Sequence, residues 1–466
     1  HISLKTVPIP AGDQFALFPS LRMGMAGASV ALDDPMGDPF ANPARGARLQ
    51  GLELFLTPTF YGSSDDVSGG RSLPLSASMG GERWFGAASM ALQQLSDRRL
   101  GAWAPLTPEQ RDEIFPDGAH DNLYAFGSLG RRVPGAEHVA VGVSGFWADL
   151  GALDGVQRLY MRSSGIRQSG TLDEYRVGAM ADLGDGATLD AVALRSSLDM
   201  THRVLYVEWD QWGQPTTTTT RTEINLDRTV TWGAQLRYTR PLAAQDWRAG
   251  AVLTGNRKSH PKIPNYDLVN IPRDPGSSRV FQVGGGLAKV TESSAFTVEA
   301  VLEPGRSHTW AYTDTALTTE AGTVIPAGGR TVDNRFVFRN VAMATAVQKD
   351  YTRAGFQLGL RLRSIRYTLD QKNFLADTVR HTREGWMEWT PTWSGVLRFD
   401  DFDLRYAGRA TMKGWVQVGG VFPGVRFDDA AAAPGGGDFL VAPTQPVDMP
   451  DFRVTTHQFT ISVPVR

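Results

Sequence analysis

The chain has 466 residues, no cysteine, 47 basic and 49 acidic residues, and a formal net charge of −2. Without cysteine there is no disulfide framework, no thiolate-bound metal and no thiol nucleophile, and the near-zero charge gives no electrostatic drive toward nucleic acid. The absence of a run of 18 apolar residues predicts no transmembrane helix. A transmembrane β-barrel stays possible, because its apolar residues occupy alternate positions.

The first 50 residues differ from the rest of the chain. The sequence begins at His1 with no signal-peptide pattern, and we expect the mature form of a secreted precursor after signal-peptide removal. Residues 19–50 are rich in small residues, which permit close backbone approach, and an Asn-Pro pair favours a turn. The motifs are Gly24-x-x-Gly27, Asp33-Asp34 and Asn42-Pro43-Ala44. The acidic pair either ends a turn or anchors the segment.

From residue 51 onward the dominant pattern has a period of two. The even positions from Phe356 to Leu362 are apolar, while the odd positions carry Gln357, Gly359 and Arg361. A strand directs alternate side chains to opposite faces, so this pattern predicts strands with one apolar and one polar face. Sixteen segments qualify: 51–61, 71–81, 84–95, 121–132, 137–149, 173–184, 187–209, 221–240, 245–257, 277–291, 295–312, 330–349, 351–371, 382–398, 401–412 and 452–465. We expect an even number of strands, 14 to 16.

The connections between these segments are of two lengths. Short turns alternate with four long connections, at 97–122, 151–170, 260–278 and 422–451. This arrangement is typical of an antiparallel transmembrane barrel with tight turns at one rim and long extracellular loops at the other. The fold class predicted is therefore all-β, a transmembrane antiparallel β-barrel.

The N-terminal motifs, standing just before the first strand, resemble the start of FadL-type outer-membrane transporters of hydrophobic compounds. The matching elements are Met23-Gly24-Met25-Ala26-Gly27-Ala28, Ala31-Leu32-Asp33-Asp34 and Asn42-Pro43-Ala44. The PorV-type branch of the same superfamily, which acts in protein secretion, is similar, with an Arg shortly before Met-Gly, here Arg22. The motif covers about 30 residues and does not choose between the branches.

The resemblance implies a barrel of about 14 strands with an N-terminal hatch in the lumen. Carried over, residues 1–50 form the hatch, with its plug between about Phe15 and Gln50, and residues 51–466 form the barrel. It further implies that Gly24 and Gly27 give the hatch tight packing, and that Asp33, Asp34 and Asn42, followed by Pro43, hold it to lumen side chains.

Five arginines fall on the polar phase of their predicted strands: Arg335, Arg339, Arg361, Arg363 and Arg405. A charge on the lipid face of a barrel costs about 2–4 kcal/mol at mid-membrane, so we expect all five in the lumen. There they bind the carboxylate of a ligand, anchor hatch acids such as Asp33, or take part in a solvated, ion-paired lumen.

No catalytic pattern is present. The eight histidines are scattered without metal-ligand spacing, and residues 142–145 do not form a nucleophile elbow. We therefore predict no enzyme, no cofactor and no metal site.

The favoured function is that of a porin-like channel in the bacterial outer membrane, for passive, hatch-gated uptake of hydrophobic small molecules that are fatty-acid-like or aromatic. The expected partners are that ligand and the lipid or lipopolysaccharide of the membrane, with no nucleic acid. The alternative is a PorV-like barrel that binds secreted or surface proteins at its long loops. A soluble multi-sheet β protein is a third reading.

Overall fold

The structure is a computed structural model that describes residues 14–64, 69–96, 119–154, 165–209, 215–243, 246–259, 276–313, 315–319, 321–414 and 453–465. Its helices are short and precede the first strand: a 3-10 turn at Met23–Met25, α1 at Asp38–Ala41 and a 3-10 helix at Pro43–Arg48. Residues 14–50 are called the N-terminal segment below. Within the described ranges, no helix is long and apolar enough to cross a bilayer.

Strands make up the rest of the architecture, and each wall strand pairs antiparallel with its neighbours. They are β1 (Gly51–Leu56), β2 (Thr59–Ser63), β3 (Gly69–Gly80), β4 (Trp84–Ser96), β5 (Ala119–Val133), β6 (Ala136–Leu150), β7 (Gly165–Gly184), β8 (Ala187–Trp209), β9 (Pro215–Pro241), β10 (Trp247–Ser259), β11 (Ser277–Val290), β12 (Ser294–Tyr312), β13 (Leu317–Thr318), β14 (Val324–Ile325), β15 (Arg330–Asp350), β16 (Ala354–Asn373), β17 (Thr378–Arg398), β18 (Asp403–Gly414) and β19 (Arg453–Val465).

The sheet closes on itself. Both β1 and β2 pair with β3 on one side and with the last strand, β19, on the other. The pairing register is the same before and after Thr57 and Pro58, so β1 and β2 count as one strand of the barrel wall. Strands β13 and β14 pair with each other in a separate two-stranded sheet. The result is a closed antiparallel barrel of 16 strands. The alternation predicted this count at its upper limit, and the barrel is larger than the 14 strands that the family resemblance implies.

The outer face of the barrel is apolar and the inner face is largely polar. On β3, Leu73, Leu75 and Met79 are 53%, 59% and 50% exposed, whereas the alternating Ser76 and Ser78 are buried. A soluble protein has the opposite arrangement, so the third reading of the sequence is wrong. Apolar side chains that point outward all round a closed barrel form the surface that lies in lipid.

The two rims differ as the sequence predicts. Seven connections of two to five residues lie at one end, called the short-turn rim: 81–83, 134–135, 185–186, 242–246, 291–293, 351–353 and 399–402. The opposite end is called the long-connection rim. Most residues of the four long connections predicted from the sequence lie outside the described residues.

Candidate functional site

The N-terminal segment lies against the inner face of the wall at positions where the wall has glycine. A Cβ atom built on each of four inward-facing glycines would come within 2.0 to 2.8 Å of the segment, closer than real Cβ atoms approach other atoms. They are Gly142 against Pro43, Gly178 against Asn42, Gly250 against Val30 and Gly359 against Ala26. The wall is therefore shaped to receive the backbone of the segment.

We expect Gly359→Val to displace the segment near Ala26, because the new side chain overlaps the backbone nitrogen of Ala26, 2.7 Å from the Cβ position. Overpacking of this kind typically costs about 1–3 kcal/mol. Limited proteolysis at Arg45 and Arg48 measures the release. The matched control is Gly395→Val on β17, where a Cβ meets nothing within 4 Å; equal cleavage of the two variants would refute the fit.

The two glycines singled out by the sequence have different environments. A Cβ on Gly24 would lie 2.5 Å from Ser394 Oγ of β17, so Gly24 packs tightly against the wall. Gly27 has φ +68° and nothing within 4 Å of its Cβ position. The tight packing expected of Gly27 is thus absent, and this glycine serves a left-handed backbone conformation that other residues rarely adopt.

A buried carboxylate of the wall binds the backbone of the segment. Glu299 on β12 is 6% exposed and accepts hydrogen bonds from the amide groups of Ser29, Val30 and Ala31 at 3.1, 2.6 and 3.2 Å. Bonds from N–H groups to a charged acceptor are about twice as strong as neutral ones. On β17, Thr392 accepts a hydrogen bond from Ala26 N at 2.9 Å and donates one to Gly24 O at 2.8 Å.

A chain of buried charges joins the segment to β8 and β9. Arg45 contacts Asp38 at 2.6 Å and Asp190 of β8 at 3.0 Å. Arg237 of β9 contacts Asp190 at 3.4 Å and Asp33 at 2.9 Å. The Arg237 guanidinium also donates to the carbonyl oxygens of the segment at positions 30 and 32, at 3.0 and 2.8 Å.

Within this group of buried charges, Asp33 is the acid with the largest number of arginine neighbours, three. Arg48 lies 3.0 Å from its carboxylate and Arg248 of β10 lies 3.6 Å away. Burial raises the pKa of Asp33, but the charges of Arg237, Arg48 and Arg248 outweigh that effect and hold the pKa at about 2. Asp33 is therefore an ionised anchor at neutral pH.

The neighbouring residues act within the segment. Asp34 accepts hydrogen bonds from Ser20 Oγ at 2.6 Å and from the amides of Leu21 and Gly37 at 2.9 and 3.1 Å, and it organises a turn. Asn42 caps the second 3-10 helix by accepting from Ala44 N at 3.0 Å, and its amide donates to Ala191 O of β8 at 3.3 Å. Pro43 is the first residue of that helix.

Three of the five predicted arginines lie on the inner face. Arg363 contacts the buried Glu303 at 3.0 Å, and Arg361 shares its side of β16. Arg405 lines a cavity of 460 Å³ at the short-turn rim, between the N-terminal segment and the wall, together with Arg48 and Arg398.

Arg335 and Arg339 lie on the outer face of the barrel, contrary to the prediction that they face the lumen. Both are exposed, on the side of β15 that carries the lipid-facing Met343 and Val347, whereas the alternating Phe336 and Phe338 are buried on the inner side. Near the long-connection rim the wall has left the lipid, so its outer face carries charge there and its inner face carries aromatic residues. The expectation that all five arginines face the lumen is wrong for these two.

Aromatic side chains form two clusters on the inner face. In the first cluster, Phe18 and Phe40 of the segment stack at 4.8 Å and contact Phe126 of β5 at 5.3 Å each. The second cluster lies across β15, β16, β17 and β19, and nothing from the segment contributes to it. Its members are Phe336, Phe338, Ile365, Tyr367, Leu369, Trp386 and Val454.

Sequence reasoning missed the wall residues that hold the segment: Asp190, Arg237 and Glu299. Each lies on the polar phase of its strand, which was the one available signal, but that phase holds many residues with no such role. Within the described part of the chain, no group of three or more metal-ligating acids or histidines is found.

No protein-family model and no curated protein matches the chain. Its fold is similar to that of the CymD monoaromatic hydrocarbon channel (12% identity, 98% of this chain and 99% of that one, TM-score 0.42) and of a Pseudomonas aeruginosa FadL homologue (10% identity, 98% and 99%, TM-score 0.45). The copper transporter OprC is also similar (9% identity, 78% and 62%, TM-score 0.41). The FadL homologue is thus among the solved structures similar in fold, and FadL-type transporters are the family that the N-terminal motif resembles.

Proposed function

We propose that the chain is a channel of the bacterial outer membrane for hydrophobic small molecules, with residues 1–50 as its hatch and residues 51–466 as its barrel. The observation that carries this proposal is an aromatic cluster near the long-connection rim, on an inner face that is otherwise largely polar. A water-filled porin has a polar interior, whereas here Phe338, Tyr367 and Trp386 lie on the inner face of the wall. These side chains pack against one another and are at most 9% exposed, so an apolar solute binds here by inserting among them.

The contacts of the N-terminal segment support its role as the hatch. Its backbone lies on wall glycines, Glu299 binds three of its amides, and Arg237 binds Asp33. The aromatic rings of Phe18 and Phe40 form a second, separate apolar cluster with Phe126 of β5, at the segment itself. A solute that reaches these rings passes the segment only when the segment moves.

Arg405, at the short-turn rim, provides a charged group that can bind the head group of an amphiphilic ligand. Among the described residues, no acid oxygen lies within 4 Å of its guanidinium, in contrast to Arg48 and Arg398, which pair with Asp33 and Asp350. The acids Glu53 and Asp403 also line this cavity of 460 Å³, and among its three arginines Arg405 is the one whose guanidinium is left to bind a carboxylate head group. Arg363 fits this role less well, because Glu303 already neutralises it.

The test compares apolar and polar fluxes in proteoliposomes. We expect Phe338→Asn combined with Tyr367→Asn to lower the flux of a monoaromatic hydrocarbon at least tenfold and to leave the flux of a small sugar unchanged. The control is Val337→Asn, which lies between Phe336 and Phe338 in sequence but on the outer side of β15. An unchanged hydrocarbon flux in the double variant would contradict the proposal.

The PorV-like alternative, in which the long loops bind secreted or surface proteins, concerns residues that lie mostly outside those described. No contact described above favours it, and it stays a prediction from the sequence.

A further inference from the structure

Five arginines form a row on the outside of the barrel, across five consecutive wall strands. They are Arg279 of β11, Arg306 of β12, Arg339 of β15, Arg366 of β16 and Arg383 of β17. All five are exposed, and each shares its side of the strand with a lipid-facing residue. With strands about 4.8 Å apart, the row is about 20 Å long.

The register brings these charges side by side. Arg279 is directly opposite Arg306 on one side and opposite Arg257 of β10 on the other, and the exposed Arg257 continues the row by one strand. Because Phe338 pairs with Tyr367 and Val341 with Ser364, Arg339 is directly opposite Arg366. Arg306 and Arg339 are diagonal neighbours, and so are Arg366 and Arg383. Directly opposite residues on adjacent strands have Cβ atoms about 5 Å apart, where like charges repel.

None of the five has a counter-ion in the part of the chain that the structure describes: no carboxylate oxygen lies within 4 Å of any of these guanidinium groups. The acids nearby on this face are already engaged. Asp333 contacts Arg330, Arg335 and His308, and Asp370 contacts His381. Among the described residues, no acid therefore balances the repulsion along the row.

The row lies at the edge of the lipid-facing surface that is nearer the long-connection rim. Its first four members are about 12 residues from the short-turn ends of their strands. For strands tilted by about 40°, this places them about 29 Å above the short-turn rim, measured along the barrel axis. The apolar band of such a barrel is about 25 Å tall, so the row lies just beyond it. Below the row the outer face is apolar, with Phe281, Leu302 and Met343 exposed.

The charge at this level is not the same all round the barrel. On β5 to β8, outward positions at a similar height carry acids instead, with Asp121, Asp149 and Asp199 exposed. The sector of β5 to β8 has an opposed pair of exposed arginines as well, Arg167 and Arg203, but the pair lies about four residues farther from the short-turn rim than these acids.

We propose that the arginine row binds the phosphate groups of a lipid anchored in the outer leaflet, the phosphorylated glycolipid of the outer-membrane surface. Guanidinium groups bind phosphate oxygens in pairs, and two phosphates on one sugar head group bridge the opposed arginine pairs while the acyl chains cover Phe281, Leu302 and Met343. This inference rests on the proposed outer-membrane location with the long connections outside, but not on the transport of any solute.

The test uses the full-length protein in detergent and native mass spectrometry, with diphosphoryl lipid A as the probe. Replacing all five arginines by glutamine is expected to weaken lipid A binding at least tenfold. The control replaces Arg83, Arg240 and Arg353, exposed arginines at the opposite rim, by glutamine and is expected to retain the lipid. Circular dichroism and heat-modifiable gel migration verify that each barrel is folded.

Two competition arms identify the ligand chemistry. Lipid A without its phosphates is expected to bind the wild-type protein as weakly as diphosphoryl lipid A binds the five-arginine variant. Inorganic phosphate, at the same concentration as the lipid A, is expected not to displace lipid A from the wild-type protein. Equal lipid A binding by the two glutamine variants, or displacement by inorganic phosphate alone, would overturn the proposal. Hydrocarbon flux in proteoliposomes is read separately, so that loss of lipid binding and loss of transport are distinguishable.

Discussion

Oxidation of a Val30→Cys, Gly286→Cys double variant is expected to abolish the flux of a monoaromatic hydrocarbon, and reduction is expected to restore it. The Cβ atom of Val30 lies 3.2 Å from the Cβ position of Gly286 on β11, slightly inside the distance of about 3.5–4.5 Å that a disulfide spans. The chain has no other cysteine, so the only disulfide within the protein joins the segment to the wall. Proteoliposome flux with and without reductant measures the effect.

The reduced double variant and the two single variants serve as controls, because each carries the same substitutions without the cross-link. If the oxidised protein transports as fast as the reduced protein, the segment does not move during transport. The hatch role would then be wrong, while the aromatic cluster and its test would stand independently.

Arg237→Ala is expected to release the N-terminal segment and make the barrel leaky to small sugars. Arg237 contacts Asp33, Asp190 and two carbonyl oxygens of the segment. Removing one partner of a buried ion pair typically costs about 3–5 kcal/mol, because the remaining charge stays buried without compensation. Proteolysis of the segment and single-channel conductance report the two consequences.

Arg240→Ala provides the comparison, because Arg240 lies on the same strand, is exposed and, among the described residues, donates one side-chain hydrogen bond, to Pro241 O at 3.4 Å. We expect its conductance and proteolysis to match the wild-type protein. Similar behaviour of the two alanine variants would mean that the segment is held by its other contacts, those with Glu299 and Thr392.

The strands are predictable from the sequence because each wall segment in lipid has one apolar face. All sixteen alternating segments are wall strands, and β16 has Phe356 and Leu358 outside with Gln357 and Gly359 inside, as the alternation requires. The two-residue turns follow for the same reason, since the alternation stops where they begin.

The same rule fails where the wall leaves the lipid. Phe336 and Phe338 alternate with Arg335 and Arg339 as regularly as any pair in the membrane, but there the apolar side chains point inward. Periodicity gives the two faces of a strand and does not say which face is inside. That assignment requires the height of the residue in the barrel, which depends on strand tilt and pairing.

The anchoring residues were beyond sequence reasoning for a different reason. Glu299 binds amide groups about 270 positions earlier in the chain, and Arg237 binds Asp33 across about 200 positions. A single acid or arginine on a polar strand face has the same local pattern whether it is solvated or bound. Only the closed barrel brings these partners together.

The same separation sets the order in which the molecule folds. The segment precedes all the strands in sequence, but the groups that hold it belong to β8, β9, β12 and β17. Contacts between residues so far apart form slowly, because a long loop must close before they gain any stability. The segment therefore has no binding site until most of the wall has been assembled, and its seating is the last step of folding rather than the first.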